Sequence, residues 1–329
     1  MKDLLFSLNI ILPMAILMAM GYLFKKIDLF DDNFIAKGKK LCFYVLLSSS
    51  LFKNLYDTSL AQLNMKLVVF VVIAILLEYL SANLIARKLS DERKKIGVIV
   101  QGAMRSNYAY ISIPLASLMF SDPELLQTTT SRISLLSAFV IPLFNILAVI
   151  ALSRSDETGH KSLLKKTIRN ILTNPCIDAI FAGLIVLGIR FIFPQSAFFI
   201  KDQLPFLYKV LTYFAQMSTP LALLLVGASL SFSRQESDRR ILLWVTALKN
   251  LIYPAVILLA AVLFMSFETP DYAVLAAVFG APTAIASAIM AYQLKADDKL
   301  ANEIVVYTTV FSSFSLLLIV FLLRTGGLI

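Results

Sequence analysis

Ten apolar stretches, each near the length of a bilayer crossing, divide the chain. A hydrocarbon core of ~30 Å needs ~20 apolar residues in a helix. By that measure the sequence predicts spans at 4–24, 34–55, 65–86, 96–120, 129–152, 170–193, 204–231, 241–266, 272–294 and 300–323. The second opens on "AKGKKLCFY" (36–44), which predicts an amphipathic start. The fourth is irregular in another way: "QGAMRSNYAYISIPLASLMF" (101–120) sets Arg105, Asn107 and Pro114 inside an apolar run. A charged residue such as arginine at the centre of a membrane helix costs at least ~2.5–3.5 kcal/mol, and proline removes a backbone donor. Such a stretch is either misread as a span or functional.

Composition supports the membrane assignment. The 329 residues are 59% hydrophobic and 16% charged, with a mean hydropathy of +0.81. A soluble domain would be ~45–50% apolar and ~25% charged. The net charge of +9 invites a nucleic-acid reading, but the basic residues sit in short segments between apolar runs, so no nucleic-acid partner is expected. Five Lys or Arg fall in 25–40, five in 87–95, five in 154–169, three in 234–240 and two in 295–299, against eight in the alternate loops and both termini. Positive residues mark cytoplasmic loops, which predicts both termini on the outer side of the cell (inner) membrane. The first span lacks a small-residue cleavage pattern and is expected to be retained. Cys42 and Cys176 lie in apolar runs, and neither they nor the single His160 makes a metal or catalytic motif.

The basic segment 153–169 falls between the fifth and sixth spans and divides the chain into halves, 1–152 and 170–329. Five spans per half is odd, so the second half enters the membrane from the opposite side. That predicts an all-α integral membrane protein of ten helices in two inverted five-helix repeats. The fourth span laid on the ninth sets "AMRSNYAYISIPLASLMFSDPEL" against "FGAPTAIASAIMAYQLKADDKL", with Ser106–Asn107 on Pro282–Thr283. Identities are few. Both members are nevertheless polar, rich in small residues and interrupted by proline, the pattern of paired discontinuous helices near the midplane of a transporter. A plain proline kink with close helix packing is the alternative for either helix alone.

The chain resembles the auxin efflux carrier family of plant auxin exporters and bacterial organic-acid permeases. The likeness runs over nearly the whole chain and is most specific in "SNYAYISIPL" (106–115), "NPCIDAIFAGLIV" (174–186), "STPLALLLVGASL" (218–230) and "APTAIASAIMAYQL" (281–294). The resemblance implies a scaffold of helices 1, 2, 6 and 7 and a transport domain of helices 3–5 and 8–10. Helices 4 and 9 would break and cross beside the substrate. It matches the family's substrate-contacting asparagine to Asn107 and its crossover proline to Pro282, followed by Thr283. The chain departs from the family pattern at Ser106, Ile113 and Ser48, where proline, glycine and proline are usual.

Four ionisable residues, Glu78, Arg105, Asp178 and Lys249, lie ~12–14 Å from the cytoplasmic ends of their spans at ~1.5 Å per residue. One expectation is that they neutralise each other as Glu78–Arg105 and Asp178–Lys249. The functional reading gives Arg105 to a substrate carboxylate and Glu78 or Asp178 to a coupling proton. Substrate-binding candidates are therefore Arg105, Ser106, Asn107, Tyr108, Pro282 and Thr283, and Glu78, Asp178 and Lys249 are a charge network. Tyr108 has a packing reading as well, with its hydroxyl satisfied internally.

No Walker A, HExxH, GxSxG or paired-acid metal motif occurs, so neither an ATP-driven pump nor an enzyme is expected. The expected function is secondary transport of a small organic anion, a malate- or malonate-like dicarboxylate or an auxin-like monocarboxylate, by elevator-type alternating access. No cofactor is expected beyond a coupling H⁺ or Na⁺. The partners are the substrate, the bilayer and, by resemblance, a second copy in a homodimer. A ligand-binding sensor and a sodium-coupled symporter of another solute remain the alternatives.

Overall fold

The computed structural model describes residues 2–59, 64–152, 175–193, 200–230 and 239–329. The loop expected at 153–169 and the first residues of the sixth span lie outside them. The described chain is helical and holds no strand; one isolated antiparallel bridge joins Ser106 to Thr283. Seven helices are long and apolar enough to cross a membrane: Asp3–Lys26, Met65–Leu89, Pro123–Leu152, Pro175–Ile192, Pro205–Ala228, Arg239–Phe264 and Asp298–Thr325. The expected fourth and ninth spans are interrupted instead, and the second runs on as helix from Asp32 to Tyr56 but departs from regular α geometry and carries lysines in its first half.

In the second, Asp32–Leu41 runs through a wider π-type turn, Cys42–Leu47, into Ser48–Tyr56. Ser48 Oγ donates to the Phe43 carbonyl five residues back, at 3.1 Å, which suits the widened turn. Lys37, Lys39 and Lys40 make its first half the amphipathic segment the sequence predicts. The breaks in the other two spans form the candidate site. The span at 239–264 also holds a π-type turn, Leu248–Ile252, before Pro254, whose missing N–H the widened turn accommodates.

Helix starts extend the predicted spans outward. Pro123–Leu152 begins six residues before the expected 129, because Asp122 Oδ1 accepts from the Glu124 and Leu125 amides at 3.1 and 2.9 Å. Thr269–Gly280 begins with a capping box in which Glu268 and Asp271 reciprocally satisfy backbone donors.

The chain is apolar outside, as a bilayer solvent requires, and its largely apolar interior also encloses the polar side chains. Leu77, Leu84, Phe191, Phe206, Leu243, Phe264 and Phe314 are exposed. Buried hydroxyls line the inward faces of Pro123–Leu152 and Asp298–Thr325, and Thr129, Thr308 and Thr309 each donate to the carbonyl four residues back. Helix Lys2–Lys26 packs on Pro205–Ala228 at backbone contact. A Cβ on Gly21 would lie 2.0 Å from the Leu224 carbonyl oxygen, and one on Gly227 only 1.8 Å from that of Met18. Only glycine permits this approach.

Candidate functional site

Helix Arg93–Met104 ends where Arg105 turns extended, with φ −85° and ψ 106°. The chain resumes as a π-type turn, Tyr108–Ser112, and a short helix, Ile113–Ala116, that takes Pro114 in its first turn. Helix Thr269–Gly280 ends the same way: Ala281 precedes Pro282 and is driven to φ −65°, ψ 144°. The chain becomes helical again at Ala286–Gln293.

The two unwound segments satisfy each other's backbone, which is what allows them to be buried. The Asn107 amide donates to the Pro282 carbonyl at 2.8 Å, and the Ala284 amide to the Arg105 carbonyl at 3.1 Å. Thr283 is fully enclosed. Its amide donates to Thr308 Oγ1 at 3.2 Å, and its hydroxyl to the Gly102 carbonyl at 2.6 Å. Gln101 Nε2 reaches the Ser287 carbonyl at 2.9 Å and ties the first helix to the restart of the second. Six of the candidates, Arg105, Ser106, Asn107, Tyr108, Pro282 and Thr283, thus lie on or beside one junction.

Their side chains have unlike environments. Arg105 donates to Asn145 Oδ1 at 2.7 Å and to the Met290 sulfur, both neutral acceptors. The expected Glu78–Arg105 pair is not formed, since Asn145 and Met290 hold the guanidinium first. Lys249, fully enclosed, donates from Nζ to Ser106 Oγ at 2.6 Å. Glu78 is the carboxylate that interacts with it electrostatically, without a direct ion pair among the described residues. The expected Asp178–Lys249 pair is also corrected: Asp178 is exposed in the first turn of Pro175–Ile192 and joins no ion pair among the described residues. The charge network is Glu78 and Lys249, with Asp178 outside it. Tyr108 donates its hydroxyl to the Ile133 carbonyl at 2.5 Å, which supports the packing reading.

Among the described residues several buried side chains keep unused hydrogen-bonding capacity, and two of them bear on this site. Asn107 is 3% exposed and its Nδ2 has no partner; Glu78 is equally buried and neither carboxyl oxygen has one. Buried polar groups are paired in the great majority of cases, so each exception points to function or to an absent ligand. An orphan amide donor in the segment that carries Arg105 and bonds Lys249 through Ser106 is suited to an anion.

The sequence reading missed a second buried charge cluster. Arg132, taken for an outer-loop cation, is 6% exposed and bonds Asp271 Oδ1 at 2.7 Å and Glu268 through its other terminal nitrogen. Asn64 Nδ2 takes the second Asp271 oxygen at 2.8 Å. This clamp fixes the start of Thr269–Gly280 against Pro123–Leu152. The acid three residues after Glu268, ahead of an apolar run, is the signal that could have located it. Asn145 and Thr308 carried no comparable local signal.

The family described as membrane transport protein matches residues 6–320. The chain belongs to that family. It is the auxin efflux carrier grouping that the motifs resemble, and the match covers both broken segments. Among curated proteins, none matches the chain. The matching family is a membrane transport family and not an enzyme family.

Proposed function

We propose that this membrane transport protein is a secondary transporter of a small organic anion, a malate- or malonate-like dicarboxylate or an auxin-like monocarboxylate, and that its site is the junction of the two broken spans. The observation that carries the reading is the unpartnered Asn107 Nδ2, buried in the unwound segment that also carries Arg105 and the Lys249-bonded Ser106. The helices that restart at Tyr108 and Ala286 add positive dipole ends beside the junction. Lys249 and Glu78 offset each other, which leaves Arg105 as the unbalanced cation for one substrate carboxylate.

The architecture belongs to the same proposal: ten spans in two inverted repeats, 1–152 and 170–329, with spans 4 and 9 crossing. One detail favours it. The internal alignment equates Ser106 with Pro282 and Asn107 with Thr283. The contacts observed are Ser106–Thr283 and Asn107–Pro282, and a twofold that exchanges the aligned residues turns each contact into the other. Helices 1, 2, 6 and 7 then serve as scaffold, and helices 3–5 and 8–10 as the unit that carries the site by an elevator movement, with both termini outside. Glu78 is the group we assign to a coupling proton.

The test is uptake into proteoliposomes. Labelled malate, malonate and indole-acetate are offered with proton, sodium and electrical gradients imposed separately. Accumulation of at least one acid is expected, driven by the proton or electrical gradient and reduced in Asn107→Ala. Binding without accumulation would make the protein a sensor, and accumulation driven by sodium alone would remove Glu78 from coupling.

A further inference from the structure

A second cavity lies beside the junction, between helix Met65–Leu89 and the span 239–264. It encloses about 940 Å³, within the range of small-molecule sites. Its floor is formed by the buried residues Ala74, Glu78, Tyr253 and Ile257, and its rims by exposed apolar side chains such as Ile73 and Val256. In a chain that crosses a membrane, such rims face lipid. The groove therefore opens sideways into the bilayer.

Its polar groups are few. Lys66 sits at one end, exposed. Ser81 and Tyr253 satisfy one another, hydroxyl to hydroxyl, at 3.0 Å. Glu78 is left with both oxygens unpartnered. Lys249 balances its charge from the protein side without bonding it directly. What the floor lacks is therefore a hydrogen-bond donor and not a charge. We propose that the groove is a lateral binding site for an uncharged lipophile bearing one hydroxyl, a lipophilic alcohol that reaches Glu78 from the bilayer. The apolar walls take its body, and Glu78 turns one of its enclosed oxygens into the groove to accept from the hydroxyl. An organic anion is excluded by the same carboxyl. The groove lies beside the transport junction and shares Glu78 with the coupling role proposed above, but it does not depend on which acid is transported.

A lipophilic carbodiimide tests access, because it modifies carboxyls reached through an apolar phase. The carboxyl oxygen adds to the central carbodiimide carbon and the carboxyl proton passes to nitrogen. The resulting O-acylisourea rearranges to a stable N-acylurea, with nothing lost. Full-length protein in phosphatidylcholine vesicles at mildly acidic pH is treated with dicyclohexylcarbodiimide and mapped by peptide mass spectrometry. An adduct on Glu78 is expected, absent in Glu78→Gln and at least tenfold slower in Val256→Trp, which fills the groove. Ile73→Trp fills it from the other rim and serves if the first variant fails to fold. Adamantanol should slow labelling at least tenfold, whereas adamantane and adamantanecarboxylate leave the rate unchanged. No adduct on Glu78, equal labelling in both groove-filling variants, or equal protection by all three cage compounds would overturn the proposal. So would equal modification by a water-soluble carbodiimide, since access would then come from the aqueous side.

Discussion

Two close approaches of backbone to backbone organise this molecule, and they are built from opposite chemistry. Where helix Lys2–Lys26 meets Pro205–Ala228, Gly21 and Gly227 let regular helices touch, and the contact is van der Waals packing alone. Where the segments at 105–107 and 282–284 meet, the helices have come apart, and contact is made by hydrogen bonds between exposed amides and carbonyls. Among the described residues the first junction has no unsatisfied buried side-chain group to offer a ligand. The second keeps an orphan donor, Asn107 Nδ2, and two enclosed cations. A rigid support suits the first and a binding site the second, so mutations should separate stability from function along this line.

The largest effect is expected at the clamp that anchors the broken helix. Arg132→Ala leaves Asp271 enclosed without its cation, and breaking one side of a buried pair costs about 3–5 kcal/mol. Thermal unfolding in detergent should show a large loss of stability, and transport should fall with the folded fraction. An unchanged melting temperature would mean that the unwound segments hold themselves together. Gly227→Ala comes next. The new methyl would sit 1.8 Å from the Met18 carbonyl oxygen, and overpacking of this kind costs about 1–3 kcal/mol. Its expected signature is a lower melting temperature with normal transport per folded molecule.

What was legible in the sequence follows the same division. Apolar length located the spans, and the density of small and polar residues singled out the fourth and ninth, because those properties are local. The pairing of charges was not local. Arg105 and Glu78 have depths that suit a pair, but Asn145 and Met290 reach the guanidinium first. Asp178 lies at the expected depth and faces outward, because helical phase and not depth decides what a side chain meets. Arg132 counted as a loop cation until the helix proved to begin at Pro123, which carries it about two and a half turns inside. The lateral groove left no sequence trace beyond Glu78, since the way two apolar spans pack side by side is not local.

Asn107→Ala should reverse the Gly227→Ala signature. A hydrogen bond to a charged ligand is worth about 1.5–3 kcal/mol, so uptake at sub-saturating substrate should fall by roughly tenfold or more. Stability should hold or rise, because the substitution removes a buried donor that had no partner. A clear loss of melting temperature would mean that the amide is satisfied in the membrane and that the orphan donor is not the site.

Tyr108→Phe carries the smallest expected effect and tests where the site ends. Tyr108 follows Asn107 directly, yet its hydroxyl is spent on the Ile133 carbonyl of the neighbouring helix. Removing it costs one internal hydrogen bond, about 0.5–1.5 kcal/mol, and should leave the apparent affinity for substrate unchanged. Loss of affinity with normal stability would move Tyr108 into the binding site. The functional boundary would then lie a residue further along the π-type turn, and the junction would bind by an aromatic wall as well as by its amide and cations.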